Sequence, residues 1–246
     1  MTDSIWEKET IKIIAKAKQG NPAAQCNLGY AYFSGDMVER DIKKAVYWWK
    51  LAADQGAVAA KFFLGYIYYS GDVVEQDSTK AAHWWRLAAD KDNAPAQFFL
   101  GYAYFIGEGV EQDSKQAVNW WRLAADQEEE SAQLALGYAY CSGKGVEKNA
   151  EQGVNWWRFA ARKGFAIAQT LLGYAYYSGN GVEKDIEQAA NWWRLAADQD
   201  AADAQFFLGY AYYNGEGVEK SIEQATYWWQ LAAEQDHLAS EVALRS

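Results

Sequence analysis

One pattern of residues occurs six times in this chain at a constant spacing. Each copy contains Leu-Gly-Tyr, a short aromatic run, a glycine turn, Trp-Trp and Ala-Ala, and the first copy extends from Leu28 to Ala53. The glycine of Leu-Gly-Tyr returns every 36 residues, at Gly29, Gly65, Gly101, Gly137, Gly173 and Gly209. The tryptophan pairs return at the same interval and include all but one of the 13 tryptophans. A constant period of this length indicates a repeat protein in which each unit packs against its neighbours.

The repeat divides the chain into six full units with a shorter segment at each end. The units are residues 21–56, 57–92, 93–128, 129–164, 165–200 and 201–236. We predict that residues 1–20 form an N-terminal capping helix and that residues 237–246 begin a seventh unit as a truncated C-terminal cap, because a stacked array exposes core at its ends. Residues 1–246 would then form a single domain.

Each unit is predicted to fold as a helix, a loop and a second helix. In the first unit, Asn21 and Pro22 suit the start of a helix over residues 22–33. The second helix begins at a residue that favours the N-cap in every unit, namely Asp41, Asp77, Asp113, Asn149, Asp185 and Ser221. Glutamine follows three residues later in the last four units, which allows a reciprocal capping box there. A second loop glycine is present only in those four units, and Met37 and Val73 replace it in the first two, so these two loops are expected to differ.

The spacing of the apolar residues assigns faces to both helices. In the second helix, Ala45, Trp48, Trp49, Ala52 and Ala53 form one apolar stripe, so both tryptophans of each pair are predicted to lie in the core. The first helix has two apolar sides. Its glycine, which returns every 36 residues, is expected to allow the close approach of another helix. A helix with two apolar sides is either buried on both or presents one of them as a binding surface.

The composition restricts the partners and the location of the protein. With 23 basic and 33 acidic residues the net charge is −10, which disfavours nucleic acid and anionic membrane surfaces as partners. Cys26 and Cys141 lie in different repeats and form no disulfide framework, which is typical of a reducing compartment. The sequence contains no apolar signal core and no stretch of transmembrane length. We therefore expect a soluble, cytoplasmic protein.

No set of residues in the sequence indicates catalysis, a metal or a cofactor. The two histidines, His83 and His237, are far apart in the array, and His83 takes an outward position on its helix. Motifs of serine nucleophiles and zinc proteases do not occur. The segment Gly143-Lys144-Gly145 is one copy of the turn between helices and lacks the rest of a phosphate-binding motif. We predict a protein without enzymatic activity, cofactor or metal.

These residues resemble the Sel1-like repeat family, a relative of the tetratricopeptide repeats. The family pattern is met in the first unit by Ala24, Leu28-Gly29, Tyr32, Gly35, Asp41, Lys44-Ala45, Trp48-Trp49 and Ala52-Ala53, and again in the five later units. The chain departs from the pattern in having Trp-Trp for Trp-Tyr, and in keeping the usual Asn before Leu-Gly only as Asn27. The resemblance implies an all-α fold, a right-handed α/α superhelical solenoid of six 36-residue helix-loop-helix repeats with capping helices.

By analogy with the tetratricopeptide groove, the resemblance places the first helices on a concave side that binds a partner. The positions carried over to this surface are those of Cys26, Tyr30, Phe33 and Ser34, repeated every 36 residues. Their aromatic residues are Tyr30, Phe33, Phe62, Tyr66, Tyr69, Phe98, Tyr102, Phe105, Tyr138, Tyr174, Tyr177, Phe206, Tyr210 and Tyr213. Two interpretations remain open: the rings form an open aromatic groove, or adjacent first helices pack the rings against one another. The tyrosine present in every copy of the Tyr30 position favours the groove, because a phenol hydroxyl needs water or a polar partner.

The function implied by the resemblance is a non-catalytic scaffold that binds a peptide or a partner protein. Similar proteins occur as bacterial adaptors and as neutralising, or immunity, partners of secreted toxins. A row of acids in the loops, Glu39, Glu75, Glu111, Glu147, Glu183 and Glu219, is compatible with a basic partner, although it also serves simply as a solvated edge. The alternative is a carbohydrate-binding module, because a ladder of aromatic rings can stack on sugars.

Overall fold

The structure is a computed structural model that describes residues 3–72 and 74–245, with the side chains of residues 8–72 and 74–244. This part of the chain contains fourteen α-helices and no strand. The helices belong to two compact units, residues 1–129 and 130–246. In neither described range is there a helix that combines the length and the apolar content needed to cross a membrane.

The first unit contains seven helices, each packed against the next along the chain. They are α1 (Asp3–Lys18), α2 (Pro22–Ser34), α3 (Ile42–Asp54), α4 (Val58–Ser70), α5 (Ser78–Ala89), α6 (Ala94–Ile106) and α7 (Ser114–Asp126). The predicted helix over residues 22–33 corresponds to α2, with Asn21 as its N-cap and Pro22 in its first turn. The even-numbered helices are the first helices of repeats one to three.

The second unit is built in the same way from the remaining seven helices, and again each packs against its successor. They are α8 (Glu130–Ser142), α9 (Ala150–Arg162), α10 (Ala166–Ser178), α11 (Ile186–Ala197), α12 (Ala202–Asn214), α13 (Ile222–Ala233) and α14 (Leu238–Arg245). The helices α8, α10 and α12 are the first helices of repeats four to six.

The predicted N-caps of the second helices are confirmed in all six repeats. The side chain of Asp41 accepts a hydrogen bond from the backbone N–H of Lys44, and the other five caps make the corresponding bond. The glutamines that would allow reciprocal capping boxes do not cap the N–H of the cap residue, because that N–H already has another partner. It donates to a carbonyl of the first helix, as in the 2.9 Å bond from Asp113 N to Tyr104 O. The caps thus tie the two helices of each repeat together.

The prediction for the tryptophan pairs is correct for one member of each pair and wrong for most of the other members. The second tryptophans are buried, at Trp49, Trp85, Trp121, Trp157, Trp193 and Trp229. The first tryptophans are half-buried, at Trp48, Trp84, Trp120, Trp156 and Trp192, and only Trp228 is fully buried. The reason is that the first tryptophan lies at the seam between repeats. Trp84, for example, packs against the core of the preceding repeat and keeps one edge in solvent.

The glycine of Leu-Gly-Tyr makes room for the buried indole, as the sequence predicts. A Cβ atom on Gly101 would lie 2.6 Å from the indole Nε1 of Trp121. The same indole donates a hydrogen bond of 3.2 Å to the carbonyl of Phe98, one turn earlier on the first helix. Four other repeats have this bond, whereas the indole N–H of Trp85 has no hydrogen-bond partner. The bond satisfies the polar atom of a buried ring.

A residue with a left-handed backbone conformation follows α1 and each second helix before the next first helix begins. Glycine takes this position in Gly20, Gly56 and Gly164, but Asp92, Glu128, Asp200 and Asp236 adopt φ values of 58° to 66°. The loop inside the repeat also contains a second left-handed glycine, such as Gly109, in the last four repeats. Met37 does not adopt a positive φ, so its loop differs as predicted; Val73 lies outside the described residues.

A buried glutamine connects three helices in most of the repeats. The side-chain amide of Gln97 donates to the carbonyl of Ala89, at the end of the preceding repeat. Its carbonyl oxygen accepts a hydrogen bond of 2.8 Å from Gln127, which follows the second helix of its own repeat. The pairs Gln25–Gln55, Gln169–Gln199 and Gln205–Gln235 make the same contact. These polar bonds fix the position of a first helix against both neighbours.

Candidate partner-binding surface

The tyrosine of Leu-Gly-Tyr is exposed to solvent in all six repeats. The set comprises Tyr30, Tyr66 and Tyr102 in the first unit and Tyr138, Tyr174 and Tyr210 in the second. Between 37% and 52% of each residue is accessible, although each lies on a first helix that is packed against its neighbours. We call these residues, together with the rings that support them, the tyrosine face of each unit.

A phenylalanine of the following repeat supports one side of several of these tyrosines. The ring of Phe63 lies 5.7 Å from that of Tyr30 and stacks on Trp49 at 4.8 Å with an interplanar angle of 10°. Phe99 connects Tyr66 to Trp85 in the same way, and Phe207 connects Tyr174 to Trp193. Each tyrosine of these sets is therefore held against a rigid aromatic stack while the rest of the residue stays in solvent.

These phenylalanines were not among the predicted site residues. Phe63, Phe99 and Phe207 occupy the position where the repeat pattern has Asn and where this chain keeps only Asn27. This repeated replacement of Asn by Phe is the sequence feature that indicates them, because a large apolar ring in three copies is expected to be packed against other residues. Their contacts cross from one repeat to the next, so the periodicity within a single repeat did not reveal them.

The predicted residues at the Phe33 position rest on the buried tryptophan of their own repeat. The ring of Phe33 lies 5.7 Å from Trp49, and Tyr69, Phe105, Tyr177 and Tyr213 repeat this contact at 5.4 to 5.6 Å. Four of these five are half-buried and Tyr213 is exposed. They form the floor of the tyrosine face more than its outer surface.

The Cys26 position contributes least exposed area to the predicted site. Cys26 and Leu134 are buried, and the rings of Phe62, Phe98 and Phe206 are half-buried. Phe62 and Phe206 each contact a supporting phenylalanine on their own helix, at 5.4 and 5.5 Å. Most of the predicted rings at the Phe33 and Cys26 positions are therefore packed between helices, whereas the six tyrosines of Leu-Gly-Tyr are exposed.

An apolar depression lies on the tyrosine face of the first unit. It has a volume of about 410 Å³, and its lining includes Ile13, Cys26, Tyr30, Asp36 and Phe63. Three of the sequence positions carried over to the site, those of Cys26, Tyr30 and Ser34, line this one depression. The volume falls within the range of small ligand pockets and would accept one large side chain of a partner.

Acidic side chains influence the phenol groups of this face. Partial burial raises the pKa of Tyr69, and the neighbouring Tyr102 and Glu108 add to the increase. In the second unit, burial raises the pKa of Tyr177, helped by a hydrogen bond from its hydroxyl to Glu216 and by Tyr210. Each of these carboxylates comes directly after the loop glycine, so both stand beside the tyrosine face.

The predicted row of loop glutamates lies elsewhere. All six members are exposed, and Glu39 and Glu75 act electrostatically on Lys44 and Lys80 at the start of the second helices. Glu183 lines a polar depression with Tyr176 and not with Tyr174 of the tyrosine face. His83 is exposed, as predicted, with its ring 5.8 Å from Trp84.

Helix pairs that repeat with the same caps, the same buried indole and the same inter-repeat stacking define an all-α repeat solenoid. A model of the Sel1 repeat matches the chain six times, over residues 22–56, 58–93, 94–129, 130–165, 166–200 and 202–237. The chain therefore belongs to the Sel1 repeat family, whose members commonly mediate protein–protein interaction and are generally non-catalytic scaffolds.

Solved structures with this fold include two that are substantially similar in sequence. A protective antigen present in uropathogenic Escherichia coli strains is 35% identical, with a TM-score of 0.89 over 96% of this chain and 50% of the antigen. This chain thus spans half the length of that protein. A Sel1 repeat protein from Oxalobacter formigenes is also 35% identical, with a TM-score of 0.86 over 95% of this chain and 68% of that one.

A third structure shares the fold at lower identity. An immunity protein from Pseudomonas aeruginosa is 20% identical, with a TM-score of 0.55 over 88% of this chain and 83% of its own. At this identity the likeness concerns the fold alone. No curated protein sequence matches the chain.

Proposed function

We propose that this protein is a scaffold that holds a partner protein on its tyrosine face. One observation carries the proposal: six tyrosines at the same repeat position are all exposed, although most of the rings around them are packed. Aromatic residues that are fixed by their surroundings lose little conformational entropy on binding, and Tyr is enriched among the residues that dominate interface energies. We also propose that residues 1–246 form a single domain, because the period of 36 residues is unbroken.

The proposal is tested by replacing a central tyrosine and comparing affinity with stability. Partners are recovered with the tagged chain, identified by mass spectrometry and titrated by calorimetry. Tyr102→Ala should weaken binding at least tenfold, which corresponds to about 1.4 kcal/mol. It should cost less stability than Trp121→Ala, because Tyr102 is 37% exposed whereas Trp121 is buried.

Two controls come from exposed rings outside the tyrosine face. Tyr47, on α3, is 57% exposed, and His83, on α5, is exposed as well. Alanine at either position should leave both affinity and melting temperature close to those of the wild type. If Tyr102→Ala melts as early as Trp121→Ala and the folded protein binds normally, the tyrosine face is packing only, and the search moves to the glutamate row.

Carbohydrate binding is the alternative use of this aromatic ladder. Sugar rings stack on flat, accessible aromatic faces, whereas the exposed tyrosines meet their supporting phenylalanines at tilted angles of 45° to 78°. The exposed tyrosines are therefore not arranged as a flat platform with their supporting rings, which favours a protein side chain over a run of sugars. Binding of an oligosaccharide panel that is lost in Tyr102→Ala would support the alternative and contradict a protein partner.

The finer role of the scaffold has two candidates, an adaptor and a neutralising partner of a secreted toxin. The resemblance to the immunity protein extends to the fold only, so the immunity role rests on the family resemblance. The identity of the recovered partner decides between them: a secreted toxin whose activity falls on binding would assign the immunity role.

A further inference from the structure

Carboxylates follow the loop glycine in every repeat of the first unit. They are Asp36 after Gly35, Asp72 after Gly71 and Glu108 after Gly107. In the second unit only Glu216 takes the same position, and Lys144 and Asn180 replace the acid in repeats four and five. The first unit therefore has one carboxylate for each of its three exposed tyrosines.

The structure places two of these carboxylates, Asp36 and Glu108, beside the tyrosine face of the first unit, and Asp72 has the equivalent position in the repeat between them. Asp36 lines the same depression as Tyr30 and Phe63. Glu108 lies close enough to raise the pKa of Tyr69, together with Tyr102, and its Oε1 accepts a hydrogen bond of 2.6 Å from the Ser78 hydroxyl. The bond holds the carboxylate in place near the rings.

Opposing charge is scarce on this face. The helices α2, α4 and α6 contain a single charged residue, Lys61, and it is half-buried. In the loops that join the two helices of these repeats, Arg40 is the only basic residue, and its Nε donates to the Phe33 carbonyl at 3.2 Å. The face thus combines apolar rings with fixed negative charge, which is complementary to a basic and apolar partner.

Within its own repeats, the same unit already contains lysines that lie over a tyrosine ring and pair with a carboxylate. The Lys44 ammonium lies 5.2 Å from the centre of the Tyr32 ring and pairs with Asp41 at 3.1 Å. Lys80 makes the same two contacts with Tyr68 and Asp77. On the tyrosine face of the second unit, Lys184 and Lys220 lie 5.6 and 5.8 Å from the ring centres of Tyr177 and Tyr213. The first unit has Arg40, Gln76 and Gln112 at this position, so its repeats two and three combine the tyrosine and the acid without a lysine there.

We propose that the tyrosine face of the first unit binds a basic, partly apolar segment of the partner, whose Lys or Arg side chains lie over the tyrosine rings and pair with Asp36, Asp72 and Glu108. The inference rests on the proposed function and specifies the partner. A cation over an aromatic ring and beside a carboxylate gains both interactions. A second copy of this chain is a poor occupant, because its net charge of −10 would bring like charges together.

The test uses a random dodecapeptide library displayed on phage and selected on the full chain. The enriched peptides should contain Lys or Arg together with large apolar residues. The strongest peptide is then synthesised with a fluorophore and titrated by anisotropy. Neutralising the proposed partners, in Asp36→Asn/Asp72→Asn/Glu108→Gln, should weaken its binding at least tenfold and reduce the dependence on salt.

The matched control removes the same number of charges from the same three loops. In Glu39→Gln/Glu75→Gln/Glu111→Gln the affinity should stay within about twofold of the wild type, since those acids lie away from the tyrosine face. Equal weakening by both triple variants would show that only the net charge attracts the peptide, and the inference would be wrong. Selection of no peptide, or of peptides without basic residues, also overturns it.

A third variant separates this inference from the proposed function. If Tyr30→Ala/Tyr66→Ala/Tyr102→Ala abolishes binding while the neutralised acids have no effect, the tyrosine face binds a partner but not through basic side chains. If the alanine variant is folded by circular dichroism and binds the peptide normally, the tyrosine face is not the site, and both proposals fail.

Discussion

Two adjacent tryptophans in each repeat have different roles. Trp121 is 3% exposed and lies against Gly101, whereas Trp120 is half-buried and packs on the core of the preceding repeat. Removing a buried indole leaves a cavity that the close-packed neighbours cannot fill, and solvent can enter the space left by the other ring.

The two rings should therefore differ in their contribution to stability. Trp121→Ala should lower the free energy of unfolding by about 3–5 kcal/mol, and Trp120→Ala should lower it by clearly less. Denaturant titration followed by circular dichroism measures both values. Equal losses would show that the seam between repeats is as tightly packed as the interior.

The N-cap carboxylates of the second helices should make stability depend on acid pH. The backbone N–H of Lys44 lowers the pKa of Asp41, and the Lys80 side chain lowers the pKa of Asp77, both below the ordinary 3.8. A lowered pKa in the folded state contributes stability that is present above the unfolded pKa and is lost as pH falls through the folded value.

Replacing these caps with Asn tests this dependence. Asn also caps a helix but has no carboxyl group to protonate. Between about pH 5 and pH 2, Asp41→Asn/Asp77→Asn should lose less stability than the wild type, as followed by melting temperature against pH. Parallel profiles for the two proteins would mean that the caps do not contribute to acid sensitivity.

The turn from one repeat to the next is strained where it lacks glycine. Asp200 has φ 61° and an exposed side chain, and the equivalent Gly164 has φ 93° with nothing close to its missing Cβ. A left-handed conformation costs a residue with a Cβ roughly 1–2 kcal/mol, less for Asp than for most. Glycine avoids that cost but loses more chain entropy on folding.

Introducing glycine at one of these turns and removing it from the other should change stability in opposite directions. Asp200→Gly should raise the free energy of unfolding by about 0.5–1 kcal/mol, and Gly164→Ala should lower it by about 1 kcal/mol. Thermal unfolding of the two variants gives the comparison. A loss of stability in Asp200→Gly would indicate that the aspartate makes a favourable interaction that outweighs its backbone strain.

The buried glutamine should be coupled energetically to its partner on the same repeat. Gln97→Ala leaves the Ala89 carbonyl without its side-chain donor, and Gln127→Ala leaves the Gln97 oxygen without its own. Each change should cost about 1–3 kcal/mol, and the double variant should cost about 1 kcal/mol less than the sum. Strict additivity would show that the two amides act independently.

Repeat two has Lys61 and Lys91 at the positions of Gln97 and Gln127, so both glutamines are replaced in that repeat.

At the scale of the whole molecule, the chain should not depend on disulfide bonds. Cys26 and Cys141 are free, and burial raises the pKa of both thiols, which reduces their reactivity. The melting temperature should therefore be the same with and without dithiothreitol in differential scanning calorimetry. A marked decrease with the reductant would contradict the expectation of a protein from a reducing compartment. The single continuous domain over residues 1–246 stays a prediction.

Local patterns in the sequence determined the helices and their ends. An N-cap such as Asp113 bonds within three residues, and a period of 36 residues repeats that local information six times, so the helix bounds follow from short-range chemistry. The close approach of an indole to the glycine of Leu-Gly-Tyr was also predictable, because both residues are present in every repeat.

Only the tertiary structure decided which aromatic residues are buried and which face solvent. Trp120 and Trp121 lie on one helical stripe, and the position of the neighbouring helix places one in the core and the other at the seam. The stacking of Phe63 on Trp49 and the position of Asp36 beside Tyr30 likewise depend on how helices pack within and between repeats. That packing is a sum of many side-chain contacts, and no periodicity within a single repeat specifies it.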